Sequence, residues 1–286
     1  MRILTFSGLH GNRALIDIFI NSLIAKGLDV DIFVCAGDIG DSIIVELFEK
    51  MLQFGKPVLY VLGNHMLLDH KPGEAKKAQR FPNVLHLEKG SVAFDGLTFI
   101  GQDAWDHFTD EKKLDKRRYK DLLKKFSKAS NGKTVLVTHH APSGIYDRGR
   151  SYPWRSWKDD NGNFHGGSFS IRRIAEEFNP TIHIFAHCHS DGGKWKLVKS
   201  TLFVNVCHLE RKTRAQEIGV NGSFMIVDTD RMICVPYHLS GTSRQTCTCG
   251  AIHYLNYRKC INCYEKGNPV INFSEIDDNS NGPSLL

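Results

Sequence analysis

The sequence predicts an α/β/α sandwich of two packed mixed β-sheets, followed by a small C-terminal zinc-ribbon module. Three observations predict it. Short β-rich runs alternate with helical patterns through the first 60 residues, the later half holds many strand patterns and few helical ones, and a cysteine-dense stretch follows a change of composition near residue 240. Alternating β and α patterns argue a layered, parallel-paired sheet, and the later excess of strands argues mixed pairing over a purely parallel sheet.

Taken in order, residues 2–6, 31–35 and 57–62 read as strands, rich in Ile, Val, Leu, Phe and Tyr. Between them, Ala14, Ile18, Leu23 and Ile24, and then Ile43, Ile44, Leu47, Phe48 and Leu52, recur at helical spacing. Further strands are predicted near 91–101, 134–138, 182–185, 194–206, 223–228 and 232–236, with helices near 111–127 and 168–178. After Tyr237 the chain turns to Ser-Gly-Thr-Ser, then to the cysteines, then to a polar end "DDNSNGPSLL".

Length and composition bound the rest. A chain of 286 residues suits one domain with an appendage, and 41% hydrophobic with 24% charged residues is a globular balance. No apolar run reaches the roughly 18 residues a membrane span needs, and the first residues enter a strand pattern at once, so a cytoplasmic protein with no membrane partner is the expectation. Four of the eight cysteines are scattered (Cys35, Cys188, Cys207, Cys234) and four are packed between 247 and 263. That clustering reads as metal binding in a reducing compartment rather than as a disulfide framework.

The chemistry-bearing residues fall at the ends of predicted strands. His10 follows the first, Asp38 in "CAGDIGD" the second, and Asn64 and His65 in "LGNHM" the third; His139 in "LVTHHAP" and His187 with His189 in "IFAHCHS" follow later ones. The crevice beyond strand carboxyl ends is where ligands collect in open α/β sheets. Carboxylate, amide oxygen and imidazole together suit one or two divalent metals, with Mn, Fe and Zn all chemically acceptable.

On these residues the chain resembles the calcineurin-like metallophosphoesterase superfamily, whose pattern is Asp-x-His, Gly-Asp, Gly-Asn-His, a later His, and Gly-His-x-His. Here the pieces are Gly8-Leu-His10, Gly37-Asp38, Gly63-Asn64-His65, His139 and Ala186-His187-Cys188-His189. The resemblance implies that Asp38 bridges two metals, that Asn64, His139 and His187 complete one site, and that His10 and His189 belong to the other. It places His65 beside the phosphate as general acid or positive clamp, which makes His65 and Asp38 the implied catalytic residues. Gly8 stands where the pattern has a carboxylate, Ala186 replaces a glycine, and Met66 stands where an acid is frequent. The lariat debranching branch is similar in lacking that first Asp and in ending Ala-His-x-His, and "SGIYDRG" and "EEFNPTIHIFAHCH" also look like it. An obvious long insertion after Gly-Asn-His is missing.

The resemblance covers a catalytic domain at 1–240. Its implied activity is that of a metal-dependent phosphoesterase, with a nucleotide or nucleic-acid phosphodiester favoured as substrate. One alternative is an impaired binding or scaffold protein, because of Gly8; another is a phosphomonoesterase or small-nucleotide pyrophosphatase. Strand alternation is expected to point His187 and His189 inward and to turn Cys188 away.

The loop between His139 and His187 interleaves cations with aromatic rings, and Arg148, Arg150, Trp154 and Arg155 are candidate contacts to single-stranded RNA or DNA. Local packing of its aromatics is the other reading. The basic run 111–127 reads first as a solvated helix face. In the module, assigned to 241–268, Cys247, Cys249, Cys260 and Cys263 form two close pairs suited to one structural zinc. Residues 269–286 read as a disordered polar tail.

Overall fold

The computed structural model describes residues 1–64, 77–104, 111–129, 132–148, 157–158, 162, 164–206, 209, 223–239, 244–246, 252–254 and 274–276. Two six-stranded mixed sheets form its body. The first contains β1 (Arg2–Phe6), β2 (Ile32–Cys35), β3 (Val58–Tyr60) and β4 (Val84–His86), with β13 (Ser223–Asp228) and β14 (Ile233–His238), in the order β14-β13-β1-β2-β3-β4. The second contains β5 (Val92–Phe94), β6 (Leu97–Gln102), β7 (Lys133–Thr138), β10 (Ile182–Phe185), β11 (Lys194–Val198) and β12 (Thr201–Asn205), in the order β11-β12-β10-β7-β6-β5. In each, four strands pair in parallel and antiparallel neighbours complete the sheet. The mixed-sheet sandwich expected from the sequence is the observed one.

Alternation along the strands divides each sheet between two cores. Ile3, Ile32, Val34, Leu59 and Val61 face Phe99, Val135, Val137, Ile182, Ile184, Leu202 and Val204 between the sheets. On the outer face of the first sheet, Leu4, Phe6, Phe33 and Tyr60 pack against Ile16, Phe19 and Leu23 of α1 (Ala14–Lys26) and Leu47, Phe48 and Met51 of α2 (Ile44–Leu52). On the outer face of the second, Ile100 and Leu136 meet Leu122 and Phe126 of α3 (Glu111–Lys128) and Ile174 of α4 (Phe169–Phe178). Ser168 caps α4 by accepting from the Ile171 amide at 3.3 Å. No helix among the described residues is long and apolar enough to cross a membrane.

Several expectations are refined. The run 91–101 is a hairpin, β5 and β6, turned at Asp95 (φ 47) and Gly96 (φ 74), the pair of positive φ values a two-residue type I′ turn requires. The run 194–206 likewise divides into β11 and β12 at Lys199 (φ 53). Strand β4 went unread. Two short strands, β8 (Trp157–Lys158) and β9 (Phe164–His165), pair with each other, as do β15 (Arg244–Thr246) with β16 (Ile252–Tyr254) and with β17 (Ser274–Ile276). β17 falls inside the stretch 269–286 read as a polar tail, and the rest of that stretch lies outside the described residues. Cys247, Cys249, Cys260 and Cys263 lie outside the described residues.

Candidate metal centre

The ends of β1, β2, β3, β7 and β10 meet at one edge of the sandwich. The β1–β2 ladder continues past the strands: Gly8 donates to the Gly37 carbonyl at 3.2 Å, His10 to the Asp38 carbonyl at 2.9 Å and Gly11 to the Ile39 carbonyl at 2.8 Å. Ala186 donates to the His139 carbonyl at 3.0 Å, joining the ends of β10 and β7 in the same way. Residues widely separated in sequence are therefore fixed to one another by main-chain bonds before any side chain is considered.

Three of these residues hold left-handed backbones, His10 (φ 49), Asp38 (φ 54) and His187 (φ 67). That region is costly for a residue with a Cβ, on the order of 1–3 kcal/mol each, and such strain concentrates at functional sites. Gly37 and Gly63 make the close approach possible. A Cβ on Gly63 would stand 2.0 Å from Asp38 Oδ1 and 2.2 Å from the Asp38 amide, and one on Gly37 would stand 2.6 Å from His139 Nδ1.

What converges is a set of lone pairs. His139 Nε2 lies 2.9 Å from Asn64 Oδ1 and 3.3 Å from Asp38 Oδ2, and His187 Nδ1 lies 2.9 Å from the same Asn64 oxygen. Potential ligand atoms of Asp38, His139 and His187 all lie within 4.8 Å of one another, the one such group among the described residues. On the far side of its ring, His139 Nδ1 donates to the Ala36 carbonyl at 2.8 Å, which leaves Nε2 facing the cluster. An imidazole oriented by a carbonyl behind it is the usual arrangement around a protein-bound metal. Burial alone would lower the His139 pKa, but the Asp38 charge and hydrogen bond, with the Ala36 carbonyl, raise it overall. The pocket thus favours positive charge where Asp38, Asn64, His139 and His187 meet, and these four fit a divalent cation.

His10 and His189 stand beside this group with ring centroids 5.4 Å apart. His189 begins a single 3-10 turn, and β10 ends at Phe185. Strand alternation therefore does not orient the "AHCH" motif, as the sequence suggested; the left-handed turn at His187 does. Cys188 still turns away, packing with Phe185 and Phe203, and burial pushes its thiol pKa well up. His140, which the sequence reading passed over, lies 4.4 Å from the His187 ring and is buried. Its only signal is adjacency to His139.

The surroundings are held by carboxylates that motif reading also missed, Asp147 and Asp191 buried and Asp103 half-buried. Asp103 accepts the Leu62 amide at 2.7 Å and approaches His86 Nε2 at 2.8 Å, while Ala104 donates to the Leu62 carbonyl, bracing the backbone two residues before Asn64. Asp147 meets His165 Nδ1 at 2.6 Å and accepts from the amides of Gly144 and Gly167. Asp191 accepts from the amide, Nε and Nη2 of Arg148 and from Lys194 Nζ at 2.7 Å. Burial works against its charge, but Arg148 and Lys194 prevail and hold its pKa below the ordinary carboxylate range. Arg148, read as a substrate contact, is thus bound to Asp191. His65, Arg150, Trp154 and Arg155 lie outside the described residues.

The comparisons agree with this geometry. The UPF0046 protein K07C11.7 of Caenorhabditis elegans is 26% identical over 206 residues, 66% of this chain and 66% of its own length. A second, T07D4.2 of the same organism, is 26% identical over 166 residues, 57% of this chain, and the match spans only 39% of its length. The solved structure of TT1561 of Thermus thermophilus superposes with a TM-score of 0.56 at 13% identity, covering 83% of this chain and 98% of that one, a likeness of fold. A family model described as calcineurin-like phosphoesterase matches residues 1–191, and the chain belongs to that family.

Proposed function

We propose that the chain is a metal-dependent phosphodiesterase that hydrolyses a nucleotide or nucleic-acid phosphodiester. The observation that supports this most is the convergence of Asp38 Oδ2, Asn64 Oδ1, His139 Nε2 and His187 Nδ1 at strand ends from both sheets. When bound there, a divalent cation (Mn, Fe or Zn) supplies Lewis acidity toward a phosphoryl oxygen and eases deprotonation of water. The chain supplies the rest. Asp38 provides the buried negative charge, Ala36 fixes the His139 ring, and His10 and His189 line the approach, where they would hold phosphoryl oxygens or a second cation. Water adds to phosphorus, the P–O ester bond breaks, and the leaving oxygen takes a proton, for which His65 is the candidate donor.

The same proposal takes Cys247, Cys249, Cys260 and Cys263 as ligands of one structural zinc in a reducing, cytoplasmic setting, and Arg150, Trp154 and Arg155 as contacts to single-stranded RNA or DNA. A catalytically impaired binding protein is the second reading, and Gly8 favours it: its φ of 67 presents backbone, not a carboxylate, beside His10. Metal content and hydrolysis of bis(p-nitrophenyl) phosphate, measured for wild type, Asp38→Ala and Gly8→Asp, separate the two. Asp38→Ala should lower kcat/KM more than roughly 100-fold, since loss even of an outer partner of a metal ligand costs 10–100-fold. Wild type inactive with every divalent metal, together with turnover by Gly8→Asp, would overturn the enzyme reading.

A further inference from the structure

The whole positive excess of this protein sits on one helix. α3 carries nine Lys and Arg against three acids, a net of +6, and +6 is also the formal charge of the entire chain. Elsewhere the described cations are largely engaged: Lys50 with Asp17, Arg80 with Glu49, Arg172 with Glu176, Arg148 and Lys194 with Asp191. On α3, Lys125 turns inward to the Gly101 carbonyl at 2.6 Å. Lys116, Arg117, Lys120, Lys124 and Lys128 are exposed, and no described carboxylate pairs with them.

Their spacing is regular. Lys116, Lys120, Lys124 and Lys128 recur every fourth residue, which sets a charge about every 6 Å over about 18 Å of helix and winds it slowly across the outer face. The opposite face is committed to the fold, with Leu122 and Phe126 buried on the second sheet, and Tyr119 meets Glu177 and Arg173 of α4. The helix also has a defined direction. It joins β6 to β7, which are parallel, so it runs against them and its amino end stands at the strand carboxyl ends, the edge that carries His139.

We propose that the outer face of α3 is a track for the phosphate backbone of a polynucleotide that enters the metal centre. The inference rests on the phosphodiesterase reading and narrows its substrate class from small nucleotides to nucleic acid chains. A row of exposed cations with no described carboxylate partner, on a helix whose amino end stands at the edge that carries the phosphoryl-handling centre, is complementary to a chain of phosphates, and such contacts act through counterion release. An anionic membrane fits less well, because the described apolar residues of α3, Tyr119, Leu122, Leu123 and Phe126, pack on the second sheet and α4 rather than facing outward.

The test uses the full chain and a fluorescein-labelled single-stranded RNA of about 20 uridines, with binding followed by anisotropy from low to high KCl. K116E/K120E/K124E/K128E should bind at least tenfold more weakly near 0.1 M salt and should flatten the log K against log salt slope by about 3, four contacts at about 0.7 each. The matching four Lys→Gln substitutions should give an intermediate loss, and circular dichroism checks that both variants fold. Turnover of bis(p-nitrophenyl) phosphate should stay at the wild-type value while RNA cleavage falls. Wild-type-like RNA binding by both variants overturns the track, as does binding of phosphatidylserine vesicles in place of RNA. Wild type inactive on every phosphodiester would instead remove the phosphodiesterase reading, and RNA binding by the variants would still decide the role of α3.

Discussion

Asp38 occupies the tightest point of the centre, with Gly63 directly across the ends of β2 and β3. Because the nearest atoms to an added Cβ are the Asp38 carboxylate and amide, neither the side chain nor the backbone can yield without moving the ligand. Gly63→Ala should therefore destabilise the fold by ~1–3 kcal/mol, the usual cost of overpacking, and weaken metal retention as well. Thermal unfolding and metal content after dialysis measure the two effects; a variant with wild-type values for both would show that the loops move apart freely. Motif reading singled out Asp38 and Asn64 because polar residues at strand ends are visible in one dimension. The need for glycine at 63 was invisible, since it comes from a neighbour 25 residues away. Asp103 and Asp191 escaped notice for the same reason: their partners, Leu62 and Arg148, lie 41 and 43 residues off.

Strand β10 carries a buried polar link that bears on stability. Thr138 donates its hydroxyl to the His140 carbonyl at 2.8 Å, so His183 Nε2, 2.9 Å away, must be the donor to that hydroxyl oxygen, which fixes the neutral tautomer. Burial between Phe185 and Phe203 pushes the His183 pKa down to about 3. With an unfolded value near 6.5, the unfolded chain binds the extra proton between about pH 6.5 and 3, and stability falls as pH is lowered through that window. Urea unfolding of wild type should show this acid slope and His183→Phe should flatten it; an unchanged slope would place the titration elsewhere. At this scale the sequence was most legible. β1, β2, β6, β7, β10 and helices α1 to α4 followed from periodicity, because one face of each must be apolar. β4 was missed because three residues are too few to show a period, and the 91–101 hairpin was missed although Asp95-Gly96 is a strong turn signal.

At the scale of the molecule, the proposed metal binding would be coupled to folding. A cation that binds Asp38, Asn64, His139 and His187 only when both sheets are assembled must stabilise the folded state by mass action, about 2.7 kcal/mol at 100 times its Kd. Titrating Mn or Zn into metal-free protein should raise the Tm of wild type and leave that of Asp38→Ala nearly unmoved; equal shifts would assign the effect to other sites. The sequence by itself determined the class of fold, the list of ligand candidates and their order along the chain, because apolar periodicity and strand-end chemistry are local properties. Only the tertiary structure decided which candidates meet. Main-chain bonds between the ends of β1 and β2, of β2 and β3, and of β7 and β10 bring residues 38, 64, 139 and 187 together, Asp191 claims Arg148, and the direction of α3 sets its amino end at the edge that carries the centre. Each of these depends on contacts between segments far apart in the chain, and so on packing.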